Sequence, residues 1–238
     1  ADDIAAAITA NGLSAEQANV VRAFCNRGNR VQCAIGRAGT GKTTAMRAAA
    51  DAWTRAGYRV VGAAVKGEAA RQLGKAADIP AETLAWYLAW DDPSRGPLDA
   101  RTVLIVDEAS TIGDRDLDRL LHLAEASGAT VRLVGDPAQH GAVAAGGMFR
   151  VLCERHPGLT PELTEHRRLL HAGDRQAVDA LRDGYIEEAM AALQAAGHLH
   201  LAADDVQLYA RLLTRWWDSR QRGAPHPLVE RSNRRRRQ

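Results

Sequence analysis

Eight consecutive residues, Gly36-Arg37-Ala38-Gly39-Thr40-Gly41-Lys42-Thr43, combine a glycine-rich turn, a lysine and a hydroxyl in the spacing G-x-x-x-x-G-K-[ST]. That spacing suits a nucleoside triphosphate. Glycines let backbone N–H groups approach phosphate oxygens at a helix N-terminus, where unpaired donors and the helix dipole both favour negative charge. Lys42 is then placed to reach the β- and γ-phosphates and the Thr43 hydroxyl to ligate Mg²⁺, with Arg37, Ala38, Gly39, Thr40 and Thr44 completing the cradle.

A second group follows the apolar run Val103-Leu104-Ile105-Val106, which ends in the consecutive carboxylates Asp107 and Glu108. Beside a phosphate-bound metal, Asp107 can hold Mg²⁺ while Glu108 polarises an attacking water. An acidic cap for a following helix is the plainer alternative, but Ser110 or Asp114 would meet that need without either carboxylate. A third apolar run, Val131-Arg132-Leu133-Val134, passes into Gly135-Asp136-Pro137-Ala138-Gln139. A glutamine in that place can hydrogen-bond the γ-phosphate or the lytic water, which is the role expected of Gln139.

The elements needed to position these groups are short buried strands. Strands are expected over residues 31–35, 59–64, 102–106 and 130–134, and an alanine-rich helix over 43–56, closed by Gly57. Strands alternating with helical sequence, and continuous rather than alternating in polarity, predict an α/β fold with a parallel sheet flanked by helices. The catalytic groups then gather at the carboxyl ends of the strands. A surface loop is expected over 91–97. Past Pro161 helices are expected over 162–170, 175–181, 186–196 and 206–217. In the last of these Leu208, Leu212, Leu213 and Trp216 fall at helical spacing, so the Trp216-Trp217 pair reads as core rather than a stacking platform. The expected division is a nucleotide-binding domain over 1–160, a helical segment over 161–222 that begins a second domain, and an incomplete second domain or basic tail over 223–238. Residues 223–227 form a break, after which Leu228 and Val229 can begin another strand.

Composition narrows the classes further. The chain has 238 residues, 46% of them hydrophobic, enough for a sizeable core. No stretch approaches the roughly 18 to 20 apolar residues of a membrane span and no signal pattern opens the chain, so a cytoplasmic location is expected. Cys25, Cys33 and Cys153 lack metal-ligand spacing and read as buried reduced thiols, and the scattered histidines predict no zinc site. A net charge of +2 does not by itself argue for nucleic acid, and the basic run over 231–238 reads first as a solvated tail.

Taken in order, the P-loop, Asp107-Glu108-Ala109-Ser110 and Gly135-Asp136-Pro137-Ala138-Gln139 resemble the nucleotide motifs of superfamily 1 DNA helicases, specifically the RecD-like branch that includes the helicase part of TraI/TrwC-type conjugative relaxases. The resemblance extends to Leu13-Ser14-Ala15-Glu16-Gln17, which implies that Gln17 reads the adenine edge. It also covers Leu163-Thr164-Glu165-His166-Arg167-Arg168, which implies that Arg168 contacts the γ-phosphate, and Ala180-Leu181-Arg182-Asp183-Gly184. Two segments match the family's DNA-contacting regions with departures. Val65-Lys66 stands where a small hydroxyl residue is usual, so Lys66 is expected to supply a phosphate contact. Thr83 matches while Ala85 replaces a common histidine. Trp86 and Tyr87 can stack on bases, with at least one of them expected in the core.

The resemblance therefore implies a RecA-like ATPase domain of a 5′-to-3′ DNA helicase, using ATP and Mg²⁺ on single-stranded DNA. The chain is expected to be a fragment of a conjugative relaxase-helicase whose partners include a second motor domain or a relaxase domain. No relaxase nucleophile or histidine triad is visible, so no nicking activity is assigned. No later helicase motif is found after Asn233, the arginine of the second motor domain included. Such an arginine is worth on the order of 10³ to 10⁵ in rate, so slow hydrolysis, no unwinding and weak, salt-dependent DNA binding are expected of this chain alone. The rival reading is a non-catalytic ATP/ADP-binding module with a regulatory or assembly role. An ATPase outside DNA metabolism fits less well, because it needs neither Gln17 nor the GDPxQ segment in this arrangement.

Overall fold

Continuous apolar runs can be buried on both faces only if each alternate side chain enters a different layer, and the strands do this. In the computed structural model, which describes residues 2–26, 28–37, 39–90, 96–139, 145–167 and 171–223, six parallel strands form one sheet. They are β1 (Val31–Gly36), β2 (Arg59–Ala64), β3 (Ala81–Thr83), β4 (Thr102–Val106), β5 (Thr130–Gly135) and β6 (Glu162–Leu163), in the spatial order β3-β2-β4-β5-β1-β6. From β4, Val103 and Ile105 enter one hydrophobic layer while Leu104 and Val106 enter the other.

The first layer is closed by α1 (Asp2–Ala10), α2 (Ala15–Phe24), α3 (Lys42–Arg55) and α4 (Gly67–Ala77), whose Val20, Val21, Phe24, Met46, Trp53 and Leu73 pack on the sheet. The opposite layer contains α5 (Leu84–Leu88), α6 (Asp114–Ser127) and α7 (Met148–Arg155) with Leu117, Leu120 and Phe149. Each such side chain contributes about 1.5 to 3 kcal/mol by leaving water. Alanine dominates the buried face of α3, where Ala45, Ala48, Ala49 and Ala52 are all buried, so the helix that leaves the phosphate loop lies close against the sheet.

The four expected strands and the helix after the P-loop are present. The expected helix over 162–170 is not. Glu162 and Leu163 instead extend the sheet as β6, with Leu163 buried, and Thr164 to Arg167 are not helical. The free edge of β1 explains the difference. Ile35 donates to the Pro161 carbonyl at 3.0 Å and Arg37 donates to the Leu163 carbonyl at 3.2 Å, so ladder bonds to an open edge outweigh local helix propensity. The boundary expected at residue 160 accordingly falls before the last strand of the sheet.

Beyond the sheet, α8 (Ala172–Asp183) and α9 (Ile186–Ala195) pack as a hairpin, followed by α10 (Asp205–Gln221). The expected burial of the tryptophan pair does not occur: Trp216 is half-buried and Trp217 is exposed, because the short non-helical segment over 198–202 covers only part of α10. Cys33 and Cys153 are buried reduced thiols and Cys25 is partly buried. The contact with Cys33, together with burial, pushes the Cys153 thiol well above its usual range. Most of the expected 91–97 loop, the segment with Leu228 and Val229, and the basic run over 231–238 lie outside the described residues. Among those described, no helix is long and apolar enough to cross a membrane.

Candidate functional site

Because every strand is parallel, all the candidate groups emerge at one edge of the sheet. Strand order then sets their sequence across that edge. Thr83 ends β3, Lys66 lies just past β2, Asp107 and Glu108 follow β4, Asp136 and Gln139 follow β5, and the P-loop starts at the last residue of β1.

The P-loop turns from β1 into α3 with two left-handed glycines, Gly39 at φ 78° and Gly41 at φ 82°. Gly41 is the N-cap of α3, and no side chain caps the helix there, which leaves its first N–H groups for a ligand. A Cβ at Gly41 would sit 2.5 Å from Gln17 Nε2, so a side chain is excluded by space as well as by conformation. Lys42 Nζ donates to the Gly36 carbonyl at 2.9 Å, folding the lysine back over its own loop. Thr40 donates to the Arg37 carbonyl at 2.8 Å. Thr43 is half-buried and its hydroxyl has no hydrogen-bond partner among the described residues, while Thr44 is exposed in the first turn of α3. Ala38 lies outside the described residues.

The carboxylates after β4 differ in their surroundings. Asp107 is partly buried and accepts the Glu108 N–H at 2.9 Å. Burial raises its carboxyl above the ordinary value, the Glu108 N–H and Lys42 oppose that rise, and the Glu108 charge adds to it. A carboxylate in that condition gains from a nearby cation. Glu108 is exposed and sits in the left-handed region at φ 53°, one of only two non-glycine residues there among those described. That conformation costs on the order of 1 to 3 kcal/mol and turns the side chain away from the path of β4. Its carbonyl accepts from both the N–H and the hydroxyl of Thr111, at 2.8 and 2.7 Å, which fixes the turn. Gly135 lets this turn pack against the end of β5: a Cβ there would meet the Ser110 N–H nitrogen at 2.9 Å.

After β5, Asp136 is buried, accepting the Ala138 N–H at 3.0 Å and Gln139 Nε2 at 3.3 Å. Gln139 itself is exposed at the mouth of the site. Gln17, expected at the adenine edge, is buried behind the P-loop. Its Oε1 accepts the Ser14 N–H at 3.1 Å in a capping box, and its Nε2 donates to the Gly41 carbonyl at 3.1 Å, so the amide ties α2 to the loop. Arg168 lies outside the described residues, but the segment leading to it is anchored at the site. Arg167 donates its N–H to the Gly39 carbonyl at 2.9 Å, and Glu16 accepts the N–H groups of Thr164 and Glu165 at 2.8 and 3.1 Å.

Several contacts around the loop have no counterpart in the sequence-based assignment of the site. Arg37 Nη1 donates to Asp179 Oδ1 at 2.9 Å, and its Nε lies 3.5 Å from Glu162 Oε1 without a hydrogen bond. His166 Nε2 is 3.0 Å from the same Asp179 oxygen, and Arg182 pairs with Asp136 at 3.2 Å. Arg182 stands in the segment Ala180 to Gly184 that carries part of the family resemblance. His166 stands in the Leu163 to Arg168 segment of the same resemblance, whereas Asp179 gives no local sequence signal, its partner Arg37 lying 142 residues away.

At the far side of the edge, Lys66 is the exposed N-cap of α4. The Thr83 hydroxyl accepts the Trp86 N–H at 3.2 Å, capping α5. Ala64 and Thr83 are register partners, so Lys66 and Thr83 lie close together. Of the two aromatics, Tyr87 is the one in the core, its hydroxyl donating to the Gly62 carbonyl at 3.1 Å and its pKa pushed up to about 12 by burial. Trp86 is exposed and meets Tyr87 and Trp90 edge to face at 5.0 and 5.9 Å.

Comparison with known proteins gives a consistent result. Residues 12–204 match the family model described as AAA domain. The probable conjugal transfer protein TraA of Sinorhizobium fredii is 42% identical over 144 residues, 60% of this chain and 13% of that protein. The ATP-dependent RecD2 DNA helicase of Deinococcus radiodurans is 37% identical over 163 residues, 65% of this chain and 21% of that protein. The chain thus spans about a fifth or less of the length of these relatives. The crystal structure of the Pif1 helicase from Candida albicans shares the fold, with a TM-score of 0.54 and 24% identity over 72% of this chain and 44% of that one. These matches bear out the resemblance drawn from the P-loop, DEAS and GDPxQ segments.

Proposed function

The chain belongs to the AAA-domain family, and from that premise we propose that it is the Mg²⁺-dependent, ATP-binding and ATP-hydrolysing motor unit of a 5′-to-3′ DNA helicase of the conjugative relaxase-helicase kind. The observation that carries this reading is the convergence of Lys42, Thr43, Asp107, Glu108 and Gln139 at the ends of the three adjoining strands β1, β5 and β4. A nucleotide-binding fold alone would need the P-loop and no second carboxylate in a strained left-handed turn.

The donor set fits Mg·ATP. The uncapped start of α3 and the two left-handed glycines offer N–H groups to phosphates, and the Thr43 hydroxyl and Asp107 are hard oxygen donors for Mg²⁺. When bound, Mg²⁺ supplies charge neutralisation at the β- and γ-phosphates. Lys42 exchanges its bond to the Gly36 carbonyl for phosphate oxygens. Glu108 accepts the proton of the attacking water, and Gln139 orients that water or the γ-phosphate. Gly36, Arg37, Ala38, Gly39, Thr40, Gly41 and Thr44 shape the cradle. Arg168 carries the γ-phosphate contact implied by the resemblance, and Gln17 reaches an adenine edge only by exchanging one of its present bonds. The motor unit on this reading runs at least through β6.

The test is titration of a fluorescent ATP analogue, with Mg²⁺ or with EDTA, against the chain and its Lys42→Ala variant. Lys42→Ala is expected to weaken Mg·ATP binding or slow its turnover by roughly 10²- to 10³-fold, since it removes a donor aimed at developing charge. Unchanged affinity together with unchanged turnover would remove the P-loop assignment. Binding without any turnover, with single-stranded DNA present or absent, would favour the non-catalytic module.

Lys66, Thr83 and Trp86 form the proposed contact with single-stranded DNA, the lysine and hydroxyl serving phosphates and the exposed indole a base. Trp86→Ala is expected to cost about 1 to 3 kcal/mol of oligothymidine affinity, read by fluorescence anisotropy at one fixed salt concentration. An unchanged anisotropy curve takes Trp86 out of the DNA path.

A further inference from the structure

Helix α8 presents two charged side chains one turn apart, and each meets a different loop of the site. Asp179 Oδ1 accepts from Arg37 of the P-loop at 2.9 Å and lies 3.0 Å from His166 Nε2, in the segment that leads to Arg168. Arg182 Nη2 and Nε reach Asp136 Oδ1 and Oδ2 at 3.2 and 3.5 Å. The same two Asp136 oxygens accept the Ala138 N–H and Gln139 Nε2, so Arg182 grips the carboxylate around which the Gln139 turn is built.

We propose that α8 is a strut that sets the triphosphate site, with Asp179 and Arg182 as positioning residues: Asp179 holds the P-loop and Arg182 holds Gln139 in reach of the γ-phosphate. The inference rests on the reading of the site as an ATP site. Each acts through another side chain, Asp179 through Arg37 and Arg182 through Asp136.

Burial distinguishes the two contacts. The Asp136 side chain is 1% exposed and that of Arg182 20%, so loss of Arg182 leaves a buried carboxylate without its cation, and the Gln139 turn must rearrange to hydrate it. Arg37 and Asp179 are more open, at 22% and 39%, and a pair of that kind restrains a loop without governing its fold. Burial raises the Asp179 carboxyl, but the bonds from His166 and Arg37 outweigh that and hold it ionised below its ordinary value. The spacing of three residues puts both groups on one face of α8, which packs against α9.

The two ends of the strut predict different defects. Dissociation constants for ADP and for a non-hydrolysable Mg·ATP analogue, measured by fluorescence titration, read them separately. Arg182→Gln is expected to reduce the preference for the ATP analogue over ADP by roughly 2- to 30-fold, with Arg182→Lys recovering part of it. Asp179→Asn is expected to weaken both nucleotides by the same factor, because the P-loop grips the phosphates they share. A merely structural role would lower the melting temperature and leave the preference of the Arg182 variant and the two affinities of the Asp179 variant where they were in the parent. If Arg182→Gln does not fold, Arg182→Lys carries the test, and an unchanged preference in it overturns the proposal. A parent chain that binds neither nucleotide overturns the proposed function and this inference together. A parent that binds both, with variants showing the parent's preference and affinities, overturns the strut alone.

Discussion

Glu108→Gln is expected to leave Mg·ATP affinity within a few-fold of the parent and to lower turnover by about 10² to 10⁴, the range contributed by a positioned proton acceptor. The amide keeps the size of the side chain and one acceptor oxygen, and removes its charge and its ability to take a proton. The geometry separates it from its neighbour. Glu108 is exposed at φ 53°, directed out of the strand line by a turn that Thr111 closes from both its N–H and its hydroxyl. Asp107 is partly buried near Lys42, with a carboxyl that burial disfavours as an anion. Asp107→Asn should therefore weaken the Mg²⁺-dependent part of nucleotide binding, measured as the difference between titrations in Mg²⁺ and in EDTA. Single-turnover hydrolysis beside those titrations decides the matter. Equal loss of affinity in both variants, with no separate turnover defect in Glu108→Gln, would show that the two carboxylates do not divide the work.

That division is legible in the sequence because it depends on local order: an apolar strand, then two acids, in a chain whose P-loop supplies the phosphate site. Parallel strands carry such groups to one edge automatically, so the positions of Lys42, Asp107 and Gln139 follow from the strand pattern. What local pattern does not supply are contacts decided by the sheet as a whole. Residues 162–170 have a helical pattern, yet the exposed edge of β1 takes up Glu162 and Leu163 as a strand. The stripe on α10 has the spacing of core, yet Leu212, Leu213 and Trp217 are exposed, since spacing does not supply a surface to pack on. Arg37 fits the pattern of a cradle residue, but its guanidinium reaches Asp179, 142 positions away. No periodicity encodes a pairing over that distance.

The least legible residue is Arg132, and its replacement is expected to have the largest effect on stability. It falls within a run that reads as a buried apolar strand, and it is buried, with 0% exposure, yet no carboxylate pairs with it among the described residues. Burial depresses its pKa to about 10, which still leaves it charged at neutral pH, and a buried guanidinium needs oxygen partners for its N–H groups. Five carbonyls supply it: Phe24 at 2.5 Å, Asn26 at 2.9 Å, Val131 at 3.0 Å, Asn29 at 3.1 Å and Arg30 at 3.3 Å. Phe24 ends α2, where the partial negative charge of the helix terminus favours a cation, and the Trp53 ring stands 5.7 Å from the guanidinium carbon. Arg132→Met leaves the Asn26 and Asn29 carbonyls without the guanidinium donor, while those of Phe24 and Arg30 keep donors in Trp53 Nε1 and the Val131 N–H. Each of those two carbonyls costs about 1 to 3 kcal/mol when left unpaired, together a large share of the roughly 5 to 15 kcal/mol that holds a domain folded. The sign with pH follows from the depressed pKa. Burying the charge penalises the folded state below about pH 10, and the penalty fades as pH rises from there towards the ordinary value of 12.5, so the neutral-pH measurement sees the parent at its most penalised. Urea unfolding at neutral pH is the check, with a lowered midpoint and an unchanged slope expected. A loss below about 1 kcal/mol would mean that water replaces the guanidinium without strain. The consequence reaches the site, because α2, anchored at its end by Arg132, carries at its start the Gln17 amide that holds the Gly41 carbonyl. A destabilised α2 therefore loosens the P-loop.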